Sequence, residues 1–547
     1  MKVSSGSGAS GEQVEVPVLS SEAKAQALRL RPLGFGLLAL YGSGSIIDAS
    51  TGVFLGTFLY FYLTAVCGLS GTLAGAALGL ALVVDSILDP LVGSLSDNSG
   101  SRFGRRHPFM LVSAVPIVVC LGLLFSVPVG LSGLGLLAYV IVLTLGLRFG
   151  LSGFNVPYIA MGSELSDDYH VRSTIVAYRV GLGTIGTVLM TVLGFGVFLS
   201  GRVGGQLHRA GYSPFAWSGA ALVGLAAVVS TLGTASARDR LHKGVRGEGA
   251  ALRRMYKEMG EVFRNRSFNF LFGACLVFFI GAGVAGALAL HANTFFWKLP
   301  PSIILIITLA GVPGLFAGLA IAGLVARRVE KRTLALAGLG LVALCQFSPV
   351  ILRISGALPG TTAPIAALAV ANFLASIAVA IALIGFQSMM ADAADEHDLL
   401  FGARREGLYF AGLSFATKAS SGLGVVIAGL AADAIHFPNN LAGPGGHVPI
   451  PPLVARELAL IYGPGASLIT VLALIIILGF KIDRAAHTRI LAALEIRRAR
   501  VRTGASPLPP AARGGGLESP ILAQAVELGN AVEEMRPGAG DMTNETG

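Results

Sequence analysis

A chain of 547 residues that is 54% hydrophobic and only 13% charged, with a mean hydropathy of +0.73, carries more apolar surface than one soluble core can bury. That excludes an ordinary globular protein and makes lipid its solvent. The 40 Lys and Arg against 30 Asp and Glu leave a net charge of +10; because the basic residues gather in a few connections between apolar runs, the excess reads as membrane topology and not as a nucleic-acid surface.

The first 32 residues are polar and small, ending near Arg29 and Arg31, and lack the apolar core and cleavage site of a signal peptide. They read as a cytoplasmic tail ahead of a first spanning helix that serves as its own uncleaved signal anchor. Apolar runs then fall near 33–66, 72–96, 108–127, 134–161, 171–200 and 215–236, most reaching the roughly 20 residues a membrane crossing needs. A linker at 238–266 follows, with nine Lys or Arg and four Asp or Glu. Six further runs lie near 267–297, 302–326, 333–352, 364–391, 405–435 and 460–481. The expected fold is therefore an all-α membrane protein of twelve transmembrane helices in two pseudo-symmetric six-helix halves, 33–237 and 267–482.

Many of the 73 glycines lie inside apolar runs, Gly181, Gly183 and Gly186 among them, and read as helix-packing surfaces. Cys67, Cys120, Cys275 and Cys345 stand alone, without the spacing of a disulfide framework or a metal site. Arg102, Arg105, Arg106, Arg327, Arg328, Lys331 and Arg332 join the linker in even-to-odd connections, whereas the turns near Gly68 and Val129 carry no charge. The positive-inside rule then puts both termini on the cytoplasmic side of a bacterial-type inner membrane. Beyond Lys481, residues 483–547 begin with an amphipathic stretch (Ile490, Leu491, Leu494 and Ile496 among arginines) expected on the membrane surface, and continue as a Gly/Pro/Ala-rich tail expected to be disordered. A weak repeat supports the two halves: Glu164, Asp167, Asp168 and Arg172 precede Tyr178-Arg179, as Asp392, Asp395, Glu396, Arg404 and Arg405 precede Tyr409-Phe410.

The sharpest chemical signal is Asp85-Ser-Ile-Leu-Asp89-Pro90 in the second run. Residues i and i+4 share a helix face, about 6 Å apart along the axis, and two bare carboxylates at membrane depth call for a bound Na⁺, H⁺ or Li⁺ or for a basic partner. Pro90 cannot bond back to the Ser86 carbonyl, which frees that oxygen as a further ligand. A structural salt bridge or a water-exposed helix end is the plainer reading of the same pair. Lys418, in an otherwise uncharged run, and Arg179 are the natural counter-charges, with snorkelling to an interface the alternative for Lys418. Asp48 and Arg148 divide evenly between a substrate cavity and a structural ion pair, and His291 and Trp297 read as packing or interface residues. Asp97 beside Arg102, Arg105 and Arg106, and Asp392 and Asp395 with Arg404, suit a cytoplasmic gate. His397, among Asp395, Glu396 and Asp398, reads as a solvated helix end. No HExxH, GxSxG or GxxxxGK[ST] motif occurs, so neither an intramembrane enzyme nor an ATP-driven pump has matching residues.

Asp85-xxx-Asp89-Pro90 with Gly93 and Ser101-Arg102-x-Gly104-Arg105-Arg106-x-Pro108, followed by Pro157-Tyr158, Glu164-Leu165-Ser166-x-Asp168-Tyr169-x-x-Arg172 and Ala177-Tyr178-Arg179, resembles the glycoside/pentoside/hexuronide:cation symporter family. Ala391-Asp392-x-x-Asp395 through Gly402-x-Arg404-x-Glu406-Gly407 to Lys418 extends the resemblance over roughly 33–495. It implies the major facilitator fold and alternating access, a monovalent cation (Na⁺ or H⁺) as coupling ion, a sugar, glycoside or uronide as substrate, no cofactor, no nucleic acid and a monomer in the bilayer. By similarity to the family's sugar carriers, Asp85 and Asp89 match the cation-site carboxylates, Arg179 the substrate-contacting arginine and Lys418 the essential lysine. Where those carriers place an acid and an aromatic platform on the fourth helix, this chain has Asn155 and Ile159. Lysophospholipid carriers also look similar around Val156-Pro157-Tyr158 and Ala177-Tyr178-Arg179, so an amphipathic solute is the alternative substrate.

Overall fold

The structure is a computed structural model that describes residues 33–99, 104–166, 168–240, 260–326, 328–403, 405–442 and 450–502. Twelve helices there are long and apolar enough to span a membrane: α1 (Phe35–Leu59), α2 (Gly71–Asp97), α3 (His107–Leu124), α4 (Gly133–Glu164), α5 (His170–Phe198), α6 (Arg209–Gly233), α7 (Arg266–Phe296), α8 (Pro301–Val325), α9 (Lys331–Ile354), α10 (Thr362–Phe401), α11 (Glu406–Ala434) and α12 (Pro452–Ile477). A shorter helix, α13 (Arg484–Arg502), follows. No strand occurs among the described residues.

Each expected span is met by a helix, and the ends differ where capping chemistry overrides hydropathy. α12 begins at Pro452 and not near 460, because a proline at the first helical position gives up an N–H that has no helical partner anyway. α10 continues past 391 to Phe401 and stops at Gly402, whose φ of +79° closes the helix in the left-handed region. Its 40 residues make a rod of about 60 Å, twice the hydrocarbon thickness of about 30 Å. The last turns of α10 therefore stand outside the lipid.

The α2–α3, α4–α5, α8–α9 and α10–α11 connections share one end of the bundle, the basic face, which carries Arg105, Arg106 and Lys331; the other end is the opposite face. α1–α6 and α7–α12 form the two halves, which meet most closely through α2 and α11. A Cβ on Gly71 would stand 2.7 Å from the Gly429 carbonyl oxygen, and one on Gly75 2.8 Å from that of Val425. This backbone contact exists only because those positions have no side chain. Gly186 likewise brings α5 against Ile46 and Ser50 of α1, but Gly181 faces open space and does not pack as the sequence suggested.

At the opposite face the halves are also joined by hydrogen bonds. Asp433, at the end of α11, accepts the backbone N–H groups of Gly71 and Thr72 at 2.9 and 2.8 Å, capping α2 from the other half. Thr64 Oγ1 lies 2.8 Å from Nε2 of the buried His291, Gln206 donates to Thr294 Oγ1 at 3.0 Å, and the Leu441 N–H donates to the Ala65 carbonyl at 2.7 Å. The helices supplying these groups widen into π-helical turns nearby, at Phe54–Leu59, Tyr62–Val66, Val192–Phe198 and Ala292–Phe296.

The basic face is organised differently. Glu164 Oε1 accepts from both Arg105 and Arg106 at 2.8 Å, and Asp97 lies 3.4 and 3.3 Å from the same two guanidinium groups. Lys331 meets Asp392 at 2.6 Å, and His487 of α13 reaches Asp392 and Asp395 at 3.3 and 3.2 Å. Neither cluster joins one half to the other; the second includes His487 of α13, which follows the second half. α13 does not lie out on a membrane surface: Ile490 and Leu494 are buried against the end of α10, and Arg497 donates to the Asp398 carbonyl at 2.8 Å. The expected solvated end around His397 is likewise corrected, since Glu396, His397 and Asp398 are all buried. Arginines of α13 neutralise Asp398, while the His397 ring packs against Tyr409 of α11 and Phe401.

A charged cavity between the halves

The second, fourth and fifth helices face α11 across a cavity of about 470 Å³. The periodicity of α4 explains what it offers: Arg148, Ser152, Asn155 and Ile159 follow the i, i+4, i+7, i+11 spacing of one helix face, and all four line the cavity. α2 contributes Asp85 and Asp89 one turn apart, just before its internal Pro90. α1 adds Asp48, α5 adds Arg179, and α11 adds Lys418 from the other half.

Lys418 Nζ bridges the two carboxylates, 2.9 Å from Asp85 Oδ2 and 2.6 Å from Asp89 Oδ2. Ser152 Oγ lies between their other oxygens, 2.9 Å from Asp85 Oδ1 and 2.8 Å from Asp89 Oδ1. Arg148 stands 3.6 Å from Asp85, and the Asn155 amide donates to Asp48 at 3.0 Å. Arg179 is not in that network; its guanidinium lies over the Tyr158 ring at 5.4 Å, held where Ser45 donates to the Arg179 carbonyl at 2.7 Å. The partner of Asp85 besides Lys418 is thus Arg148, where the sequence offered Arg179. Three carboxylates (Asp48, Asp85, Asp89) face three cations (Arg148, Arg179, Lys418), so the cavity is neutral as it stands, 3 − 3 = 0. Asp85 is nearly fully buried, and an unpaired carboxylate there would cost several kcal/mol, on the order of 3–5.

Ser152 escaped the sequence reading. The signal was available in its position one turn after Arg148 on the face that also carries Asn155. Of the expected gate residues, Asp97, Arg105, Arg106, Asp392 and Asp395 fall in the two clusters of the basic face, while Arg102 and Arg404 lie outside the described residues.

Twelve helices in two halves around a charged cavity, with carboxylates from one half and a lysine from the other, define a transporter bundle of the major facilitator type. Residues 40–484 match the family model described as MFS/sugar transport protein, and the chain belongs to that family. It is similar to a putative glycoside/cation symporter of Escherichia coli, 31% identical over 153 residues covering 28% of this chain and 32% of that one. A sodium-dependent lysophosphatidylcholine symporter of Danio rerio is 35% identical over 147 residues, covering 26% and 27%. The matched stretches thus span about a third or less of each relative. Among solved structures, an inward-facing, unoccupied bacterial homologue of the human lysosomal transporter Spinster superposes with a TM-score of 0.56 at 14% identity, over 82% of this chain and 95% of that one, which establishes the fold alone.

Proposed function

We propose that the protein is a cation-coupled symporter for a sugar, glycoside or uronide, working by alternating access with no cofactor. The observation that carries this is Lys418, which crosses from the second half to bridge Asp85 and Asp89. A cation between those carboxylates and the Ser152 hydroxyl competes with the ammonium for the same oxygens; hard oxygen donors suit Na⁺, and one protonated carboxylate serves H⁺. Loading the cation releases Lys418, which joins the halves at the level of the cavity. The empty site is already neutral and can reorient, whereas a site holding the cation alone carries an excess charge at membrane depth. Substrate binding to Asp48, Asn155 and Arg179 then completes the cargo, and a uronate carboxylate there also cancels the excess charge. These residues offer both hydrogen-bond acceptors and a planar guanidinium, which fits hydroxyls and a uronate carboxylate.

A second reading is favoured by the cavity wall. Ile159 and Val176 line it and are 51% and 52% exposed, an apolar surface suited to an amphipathic solute such as a lysophospholipid. Uptake into proteoliposomes under separately imposed Na⁺ and H⁺ gradients, with a panel of disaccharides, uronides and lysolipids, distinguishes the two. Accumulation of none of them, with the protein intact, refutes the symporter reading.

The sidedness follows from the same proposal. The basic face is cytoplasmic, both termini lie inside, and the structure is closed toward the exterior by the contacts of the opposite face. The segments 33–237 and 267–482 move as the two bodies, with 238–266 as their linker, in a monomer.

A further inference from the structure

A second cavity, of about 320 Å³, lies one level further toward the opposite face among α7, α8, α9, α10 and α12, closed from the first half by Thr57 and Phe195. Thr57 is nine residues beyond Asp48 in the first spanning segment, about 14 Å at a helical rise of 1.5 Å per residue. The two cavities are therefore successive along one segment. Their chemistry differs: among the described residues, no Asp, Glu, Lys or Arg lines the second. Its polar wall is made of Asn293, Gln346 and Asn372 with Thr57, Thr308 and Tyr462.

Much of that wall has unspent hydrogen-bonding capacity. Asn372 donates to the Ile307 and Thr308 carbonyls at 2.8 and 3.4 Å. Gln346 lines the cavity but its carboxamide makes no hydrogen bond among the described residues, and its Oε1 is packed out of reach of water. Thr51, Thr64 and Thr144 return their hydroxyls to the carbonyl four residues back, yet Thr57 and Thr308 make no such bond among the described residues. A carboxamide left without a partner costs more than a made bond returns, so turning the Gln346 amide toward a hydroxyl in the cavity is favourable. Carboxamides and hydroxyls both donate and accept, which matches the hydroxyls of a sugar ring. An ion would lose its water there and find no counter-charge. The volume is at the lower end of small-molecule sites, about 300 Å³.

We propose that this chamber is a second solute site, selective for an uncharged, hydroxyl-bearing group of about one sugar ring. Its place on a translocation route rests on the symporter reading; binding to it does not. Cys345 lines the chamber beside Gln346 and reports on it. In proteoliposomes of the full chain with Cys67, Cys120 and Cys275 replaced by Ser, methyl glucoside is expected to slow alkylation of Cys345 by N-ethylmaleimide several-fold, and glycine betaine at equal osmolality to leave it unchanged. Gln346→Leu should raise the concentration giving half protection about fivefold, the factor expected from one uncharged hydrogen bond. Should Cys345 not react, flow dialysis of radiolabelled methyl glucoside against the parent and Gln346→Leu makes the same comparison.

Asp89→Asn separates this proposal from the transport reading: protection should persist while gradient-driven uptake is lost. Protection that persists in a parent unable to accumulate any solute leaves the chamber standing and removes the symporter. No protection and no binding, protection equal to that by betaine, protection by lysophosphatidylcholine alone, or indifference to Gln346→Leu overturns the chamber. Its loss in Asp89→Asn also overturns it, by assigning the solute to the charged cavity.

Discussion

The two faces of the bundle are held by different forces. At the basic face, charges pair inside each half: Glu164 with Arg105 and Arg106 in the first, Asp392 with Lys331 and His487 in the second. At the opposite face the halves hold each other, through glycine contacts, uncharged hydrogen bonds and one carboxylate, Asp433, on a helix terminus. On the proposed alternating access, pairs within a half stiffen a body that moves as a unit, and contacts between halves set which conformation prevails. A switch built this way can trade its cross-half contacts without dismantling either body.

The largest test sits between the faces. Asp85→Asn or Asp89→Asn keeps the shape but leaves Lys418 and Arg148 with an excess positive charge; accumulation should be abolished with surface expression intact. Full concentrative uptake with unchanged ion dependence in the double variant removes the coupling site. Next in size is Asp433→Ala, which deletes two charge-assisted bonds on α2. A loss of about 2 kcal/mol across the halves should move the closed-to-open ratio of the opposite face roughly thirtyfold, read as faster labelling of cysteines placed at Thr57 or Asn293 from that side. The unfolding temperature should barely change, because each half keeps its own contacts; a large fall in it, with labelling unchanged, would show that Asp433 stabilises the fold of α2 and not the joint between the halves.

Glu164→Gln should do the reverse. Two guanidinium groups keep an oxygen acceptor but lose its negative charge, lowering stability by about 1–3 kcal/mol in a thermal-shift assay while the opposite-face labelling rate stays put. The smallest effect belongs to Asp168, which is exposed and accepts the N–H groups of His170 and Val171 at the start of α5. Those bonds hold its carboxyl below the usual carboxylate range. A depressed folded value means that this cap is fully present above about pH 4 and is lost as pH falls through the folded value. Protection from hydrogen exchange at His170–Arg172, taken relative to the intrinsic rate at each pH, should accordingly fall in acid and in Asp168→Ala, but not at neutral pH in Asp168→Asn, whose side-chain oxygen still accepts.

Hydropathy and charge spacing by themselves determined the twelve crossings, because a residue's transfer to lipid is a local property that sums along the chain. The intramembrane ionisable residues were legible for the same reason: Asp85, Asp89 and Lys418 each carry a cost that only a partner relieves. The partnership itself came from the tertiary structure. Lys418 is 329 residues from Asp89, and nothing local distinguishes Arg148 from Arg179 as the neighbour of Asp85; helix rotation and tilt decide it, and these follow from packing. His397 with Asp395, Glu396 and Asp398 looked like a helix end for water because a sequence cannot see Tyr409 packing on the His397 ring or Arg497 of α13 reaching back to Asp398. The uncharged chamber around Gln346 is the extreme case. Its side chains are individually unremarkable in an apolar run, and their common direction exists only once five helices surround the same space.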